Sequence, residues 1–425
     1  MATIPSISLI PSGYKASKVY SVLPTDGSAD FDFSRNTTAT RINKDGLIEN
    51  VGNNVPRLDY EGGGCPSLLL EPQSTNSVAQ SEEFSGTLIG VTVLRNQTIA
   101  PSGIISADKL SDNSASGEHL INSSATLSMV SGTSYSFSAF FKADGTSGKG
   151  VLRYYNGSTF HFGVFNLDDG VVSYNSNGTS KIEAYSNGWY RCSISFTAGG
   201  TYSNPPVQIG IGNSLNQFAY QGASSLGVSF WGVQMETQSY PTSYIPTSGS
   251  TQTRLAETAN GAGDSSTFND SEGVLFADIS AWANDETLRK VQVNDNTGNN
   301  NITIDYYSSS NSIRANLWNG SSQYSYIYTL TDVTLSTKVA FLYKSSEFKF
   351  YVNGIKVNES SSGSTFPSGT LKTLDLSTSN GSSPFYGKTK QIQYYNTALT
   401  ALELETLTSY TSFNAMALAQ NYTIQ

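Results

Sequence analysis

Short alternating runs, closed by dipeptides that reach positive φ at low cost, restrict this chain more than any other feature of its sequence. Thr133-Ser-Tyr-Ser-Phe-Ser-Ala-Phe-Phe141 alternates over its length, and so does Trp189-Tyr-Arg-Cys-Ser-Ile-Ser-Phe-Thr197. A period of two is the mark of a strand with one buried face. Val151 to Tyr155, Phe160 to Phe165, Val171 to Tyr174 and Val207 to Ile211 extend the series, and Asn156-Gly157, Asp169-Gly170, Asn177-Gly178 and Asn187-Gly188 punctuate it. Such dipeptides turn a strand back on its neighbour. Residues 81–247 therefore predict an antiparallel sandwich.

The same style returns in residues 271–425 with Gly273 to Ile279, Asn301 to Tyr307, Ser312 to Trp318 and Lys338 to Tyr343. Glu347-Phe-Lys-Phe-Tyr-Val-Asn-Gly-Ile-Lys-Val357 is a hairpin pattern turning at Asn353-Gly354. A short C-terminal helix is predicted where Thr400 and Glu403 form a capping box ahead of Leu404 and Leu407. Between the two sandwiches lies Val228 to Arg254, whose first part reads as a half-buried strand. Pro241 and Pro246 then enforce a stiff extended exit. The Ser/Thr/Gly-rich residues 248–270 read as a linker.

Residues 1–80 show too little contiguous hydrophobic patterning to build a core of their own, and must pack on something else. The expected fold class is all-β: two antiparallel β-sandwich domains preceded by an irregular N-terminal segment and followed by the short helix.

Composition limits function. Of 425 residues, 13% are charged, about half the usual share of ~25%, and the formal charge of −9 leaves no broad cationic face for phosphates. Nucleic acid is not an expected partner. No stretch approaches the roughly 20 apolar residues of a spanning helix, and the N-terminal residues lack the pattern of a signal peptide. Membrane insertion is not expected. Cys65 and Cys192 are too few and too far apart for a disulfide framework and read as free thiols of a reducing compartment.

His119 and His161 stand beside no recognisable nucleophile or acid, and no His/Cys set has zinc spacing. No cofactor is expected. The Asn294-Asp-Asn-Thr-Gly-Asn-Asn-Asn301 run is rich in oxygen donors of the kind calcium takes, yet with a single acid it reads foremost as a turn. Asp168, Asp169 and Glu183 are undistinguished acids.

Aromatic rings are the better clue to binding, because they stack on sugars and bury readily at interfaces. The candidates are Tyr154, Tyr155 and Tyr174 in the first sandwich and Trp282, Tyr306, Trp318 and Tyr324 in the second. Roughly two-thirds of these rings are expected simply in the core, because alternation sends half of each strand inward and there is little Leu or Ile to replace them.

Several of these stretches resemble a known group. Phe230-Trp-Gly-Val-Gln-Met-Glu236, followed by Thr242-Ser-Tyr-Ile-Pro-Thr-Ser-Gly249 and Thr253-Arg254, resembles an element of bacteriophage virion proteins. There it ends a jelly-roll, carbohydrate-binding-module-like domain of fibre, spike or tail components, and Gly188 to Phe196 resembles a strand of the same module. Ser34-Arg-Asn-Thr-Thr-Ala-Thr-Arg41, Asp45-Gly-Leu-Ile-Glu49, Pro56-Arg-Leu-Asp-Tyr60 and Leu68-Leu-Leu-Glu-Pro-Gln-Ser-Thr-Asn76 match such proteins in order. The Asn353-Gly354 hairpin and the stretch from Tyr386 to Leu407 resemble laminin-G-like, concanavalin A-like sandwiches.

The resemblance implies a virion structural protein, a head or tail fibre or decoration component, assembled in the bacterial host cytoplasm. Its implied partners are other virion proteins, sister chains in a homo-oligomer of the kind that is often a trimer, and a host-surface glycan. Residues 1–80 would be the attachment segment, with Arg35, Arg41 and Arg57 as docking candidates because a guanidinium fork ties loops through directed bonds. The plainer reading of these arginines is local pairing that holds the segment together. Two alternatives stay open, a polysaccharide-degrading tail enzyme on the same scaffold and a purely architectural capsid or tail subunit, because fold alone does not decide function.

Overall fold

The computed structural model describes residues 3–146, 148–411 and 415, so the end of the expected 271–425 domain lies outside the described residues. Among the described residues its regular structure is almost entirely antiparallel sheet, with a short α-helix at Ala401–Thr408. The chain divides into two compact units. The first comprises Met1–Asn36, Val51–Pro72 and Ala256–Gln425, the second Thr37–Asn50 and Gln73–Leu255. The chain thus passes from one to the other four times, after Asn36, Asn50, Pro72 and Leu255.

In the second unit two six-stranded sheets enclose an apolar core. One sheet runs through the strands Thr87–Ile89, Leu120–Ser124, Pro206–Gly212, Lys149–Tyr155, Phe160–Asn166 and Val171–Asn175. The other is centred on Ser134–Ala143 and Gly227–Glu236. The sequence predicts Gly227–Glu236 as half-buried, and it is buried throughout. Val228, Phe230, Val233 and Met235 face the core between the sheets. Trp231 faces the other way, into a second cluster with Phe140, Trp189, Tyr244 and Ile48. The change of parity falls at Gly232, whose φ of 63° coincides with a register shift opposite Ser138 to Phe140. A bulge inserts one residue and lets a strand bury alternate positions on both of its faces.

In the first unit a five-stranded sheet, Ser322–Thr329 through Thr373–Asp375, faces a larger sheet built on Glu272–Ala281, Thr337–Lys344 and Gly387–Tyr395. The hairpin Glu347–Val352 to Ile355–Ser360 turns at Asn353 and Gly354 with φ of 48° and 85°, the paired positive values of a tight hairpin turn. Thr400 caps the helix in a reciprocal box with Glu403, as its sequence predicts.

The first 80 residues are not a body of their own: they are shared between the units. In the first unit Ile7–Leu9 and Ser67–Leu70 both pair with the Gly387–Tyr395 strand, completing its sheet. Ile7, Leu9, Phe31, Phe33, Leu68 and Leu70 join the core. The expected linker is likewise structured. Gln252–Arg254 pairs with Ser74–Asn76 within the second unit, and Thr258–Asn260 pairs with Phe31–Ser34 within the first. Its polar composition misleads because strand pairing by its backbone and the buried charged side chains of Arg254 and Glu257, rather than apolar side chains, do the joining.

Arg35 and Arg57 are buried in the first unit, where docking on another molecule is closed to them. The Arg35 Nη1 donates to Glu257 Oε1 at 2.6 Å, and Arg57 Nε donates to the same oxygen at 2.8 Å. Arg57 also reaches Glu257 Oε2 through Nη2, and its Nη1 pairs with Glu71 Oε2 at 2.7 Å. Burial works against the Arg57 charge, but the carboxylates of Glu257 and Glu71 outweigh it and raise its pKa. Arg41, in the second unit, is part-buried and pairs with Glu49 at 2.7 Å.

Removing one member of a buried ionic set strands the others without compensation, at a cost of ~3–5 kcal/mol. Glu257→Gln is therefore expected to lower the guanidinium-denaturation midpoint by an equivalent amount, read by the Trp emission of the whole chain; an unchanged midpoint would mean these charges are solvated.

Candidate glycan-binding face

The site is built by parity on one sheet of the second unit. On Lys149–Tyr155, Leu152 and Tyr154 enter the core, so Arg153 and Tyr155 point out of the opposite face. On Phe160–Asn166 the inward residue Phe165 leaves Phe160 and Phe162 outside. On Pro206–Gly212, Val207, Ile209 and Ile211 go in and Gln208 comes out, and Asn122 lies opposite it. Register then aligns Asn122, Gln208, Arg153 and Phe162 across four strands.

The polar members of that row are linked. Arg153 Nη1 donates to Gln208 Oε1 at 3.0 Å and pairs with Glu118 Oε1 at 3.1 Å, and Gln208 Nε2 donates to Asn122 Oδ1 at 2.7 Å. Rings continue on both sides. The Arg153 guanidinium lies 4.2 Å from the Phe160 centroid and 5.0 Å from that of Phe218, within cation–π range. Phe160 packs on Tyr155 and Tyr155 on Tyr202, at 5.1 and 4.8 Å between centroids. Phe218 meets Phe162 at 4.8 Å, and Phe162 stacks with Tyr174 at 5.0 Å. Six rings bridged by one guanidinium form a continuous strip, and Phe160, Tyr174 and Tyr202 are 40%, 43% and 42% exposed.

The loop from Asn213 to Phe218 borders this strip. Lys149 Nζ donates to Asn216 Oδ1 at 2.7 Å, and the two-stranded ribbon in which Ser116–Glu118 pairs with the distant Ala219–Gln221 brings in Glu118 beside Phe218. The carboxylate at the strip is thus held by Arg153. Glycoside hydrolysis needs two carboxyl groups disposed about the scissile bond, whereas this arrangement offers stacking and hydrogen bonding.

Of the predicted binding aromatics, Tyr155 and Tyr174 lie on this strip. Tyr154 does not: neighbouring residues of a strand face opposite sides, and its ring is buried 3.9 Å from Phe196 with its hydroxyl donating to Asn177 O at 3.0 Å. Burial pushes its phenol pKa up. Tyr306 and Tyr324 of the first unit are also buried, donating to Ile279 O at 3.1 Å and Asn358 Oδ1 at 2.9 Å. No sugar can reach these three rings. Trp282 is half-buried under Lys388, whose Nζ is 5.2 Å from the ring.

Trp318 stands on the outer face of the five-stranded sheet, which it shares with Asn316 and Arg314. Arg314 pairs with Asp305 at 2.7 Å and lies 4.4 Å over Tyr307. Arg153, Phe162, Gln208, Tyr202 and Phe218 were missed by sequence reasoning. The parity of Arg153 with Tyr155 could have found the first three through pairing; Tyr202 and Phe218 arrive from connections without a pattern.

The Asn294 to Asn301 run forms a turn around Asp295. Its carboxylate accepts from Thr297 N and Oγ1 at 2.8 Å each, from Gly298 N at 2.9 Å and from Asn300 Nδ2 at 2.8 Å. Among the described residues no group of three or more His, Cys, Asp or Glu could hold a metal ion.

Residues 260–405 match the family model of the concanavalin A-like lectin/glucanases superfamily. This part of the first unit, two antiparallel sheets packed face to face, is similar to that superfamily. No curated protein matches the chain in sequence. Among solved structures, the chain is similar to the CBM40 of Ruminococcus gnavus IT-sialidase bound to α2,3-sialyllactose, with 16% identity over 35% of this chain and 94% of that one and a TM-score of 0.30. Domain 4 of AbnA, a GH43 extracellular arabinanase from Geobacillus stearothermophilus in complex with arabinotriose, gives 14% identity, 40% and 84% coverage and a TM-score of 0.31. Domains LG4-5 of the mouse laminin α1 chain give 8% identity, 79% and 95% coverage and a TM-score of 0.25. At these scores none of the three bears on what this chain binds.

Trp189 and Trp231 are fully buried and Trp282 is half-covered, while Trp318 is 40% exposed. Trp318→Phe is expected to remove most of the acrylamide-quenchable emission of the native protein; undiminished quenching would place that ring in a covered setting.

Proposed function

We propose that this protein binds glycans without turning them over and serves as a structural component of a bacteriophage particle, displaying its sandwiches toward the host surface. The observation that carries the binding is the ring strip from Tyr202 to Tyr174 with Arg153 at its centre. Flat rings exposed in a row on a rigid sheet offer area to the C–H faces of a sugar at little entropic cost, and the linked amides supply direction. The concanavalin A-like match of residues 260–405 supports a glycan reading of the chain as a whole. The virion role is supported by the ordered N-terminal blocks and the Phe230 to Arg254 element, which resemble phage fibre and decoration proteins. The partners of this reading are other virion proteins, sister chains in a homo-oligomer and a host glycan. Attachment would use exposed surface and not Arg35 or Arg57.

Purified protein on a glycan array is expected to give discrete binding. Phe162→Ala combined with Tyr174→Ala should weaken it at least about tenfold, equivalent to ~1.4 kcal/mol, while Tyr154→Phe should leave it unchanged. A blank array, or binding indifferent to the double substitution, would refute the assignment of the face, and release of reducing ends from host capsule would favour the enzyme. Antibody labelling of intact particles checks the virion role.

A further inference from the structure

We infer that the glycan taken by this face is uncharged; this rests on the preceding reading of the face as a glycan-binding surface. The strands of the sheet, the loops 156–159, 167–170 and 213–218 and the Ser116–Glu118 strand beside them carry two cations, Lys149 and Arg153, against three acids, Glu118, Asp168 and Asp169. Neither cation is offered to a ligand as a bare charge. Arg153 is paired with Glu118 and hydrogen-bonded to Gln208, with 15% of its side chain exposed, whereas Glu118 is 37% exposed. Lys149 donates to Asn216 Oδ1 and to Ser214 O at 3.4 Å.

A uronate or sulfate placed on the strip would have to displace Glu118 from Arg153 or lie beside an excess of negative charge, on a chain whose formal charge is −9. Held as it is, the guanidinium acts through its plane, as a support for Phe160 and Phe218, and through its N–H groups. Hydroxyl and ring oxygens accept such bonds without bringing a charge. The favoured ligand is therefore a neutral pyranose chain, stacked along the rings and hydrogen-bonded to the part-buried Arg153 and Asn122, which Gln208 holds in place beneath.

Calorimetry of the intact protein with neutral hexose and N-acetylhexosamine oligosaccharides, oligogalacturonate and a sulfated oligosaccharide tests this. Neutral ligands are expected to bind with a Kd that changes less than about twofold between about 20 mM and about 500 mM NaCl, as short-range contacts escape screening, and anionic ones at least about tenfold more weakly at low salt.

Glu118→Gln should then strengthen anionic binding at low salt by about threefold or more by releasing Arg153. Tight, salt-sensitive binding of the charged ligands to the unsubstituted protein would overturn the inference while sparing the glycan reading, as would a Glu118→Gln variant with unchanged anionic affinity. Absence of binding to every oligosaccharide would overturn both.

Discussion

Four oppositely charged groups, withdrawn from water together, gather the discontinuous pieces of the first unit. Arg35 precedes the first passage of the chain into the second unit by one residue, Glu71 precedes the third by one residue, and Glu257 follows the fourth by one residue. Arg57 binds both acids. Apolar burial is non-directional and would tolerate these segments in several arrangements. A guanidinium fork with fixed donor directions distinguishes among them. The sheet additions made by Ile7–Leu9 and Ser67–Leu70 then follow, because the segments carrying them are already held at their ends.

The second unit solves the same problem with a hydrogen-bonded acid and an amide. Glu236 accepts from Ser74 Oγ and Gln234 Nε2 at 2.6 Å each and from Thr242 N at 2.9 Å. Asn76 donates to Ile245 O at 2.9 Å and to Val233 O at 3.2 Å. The exit stiffened by Pro241 and Pro246 does not lead away. It folds back onto its own strand, where Ile245 N donates to Gln234 Oε1 at 2.7 Å. Proline removes a donor from the extended stretch, and side-chain amides supply the bonds a neighbouring strand would otherwise make. The central strand is thereby fixed on both faces, and the sheet bearing the ring strip packs against a rigid partner.

Local chemistry was legible in the sequence. The alternation of Ser134–Ala143 and Trp189–Thr197, the Asn353-Gly354 turn and the Thr400 capping box are each decided by residues within a few positions of one another. Unit boundaries were not, since they depend on which distant segments share a sheet. Residues 248–270 look like a linker by composition, yet Arg254, Glu257 and Ala259 are buried. The arginines of the N-terminal blocks were legible as tying groups, and only the fold shows that both partners of Arg35 and Arg57 lie within the same unit.

The ring strip was half legible for a related reason. This chain is poor in charge and draws on 25 Tyr and 20 Phe for apolar area, so rings fill the core as well as the surface, and their number says nothing about binding. Tyr154 and Tyr155 are adjacent and chemically identical, yet one is sealed against Phe196 and the other packs under Tyr202 on the open face. What separates them is parity measured from Leu152 and Phe165, the residues that the core between the sheets takes in. A one-residue slip of that strand would exchange the two tyrosines and bury the Arg153 charge in the sandwich interior, where burial of an uncompensated ion is prohibitive. Arg153 therefore fixes the register of its own strand as well as the middle of the strip, and the polar group that gives the face its direction also determines which rings form it.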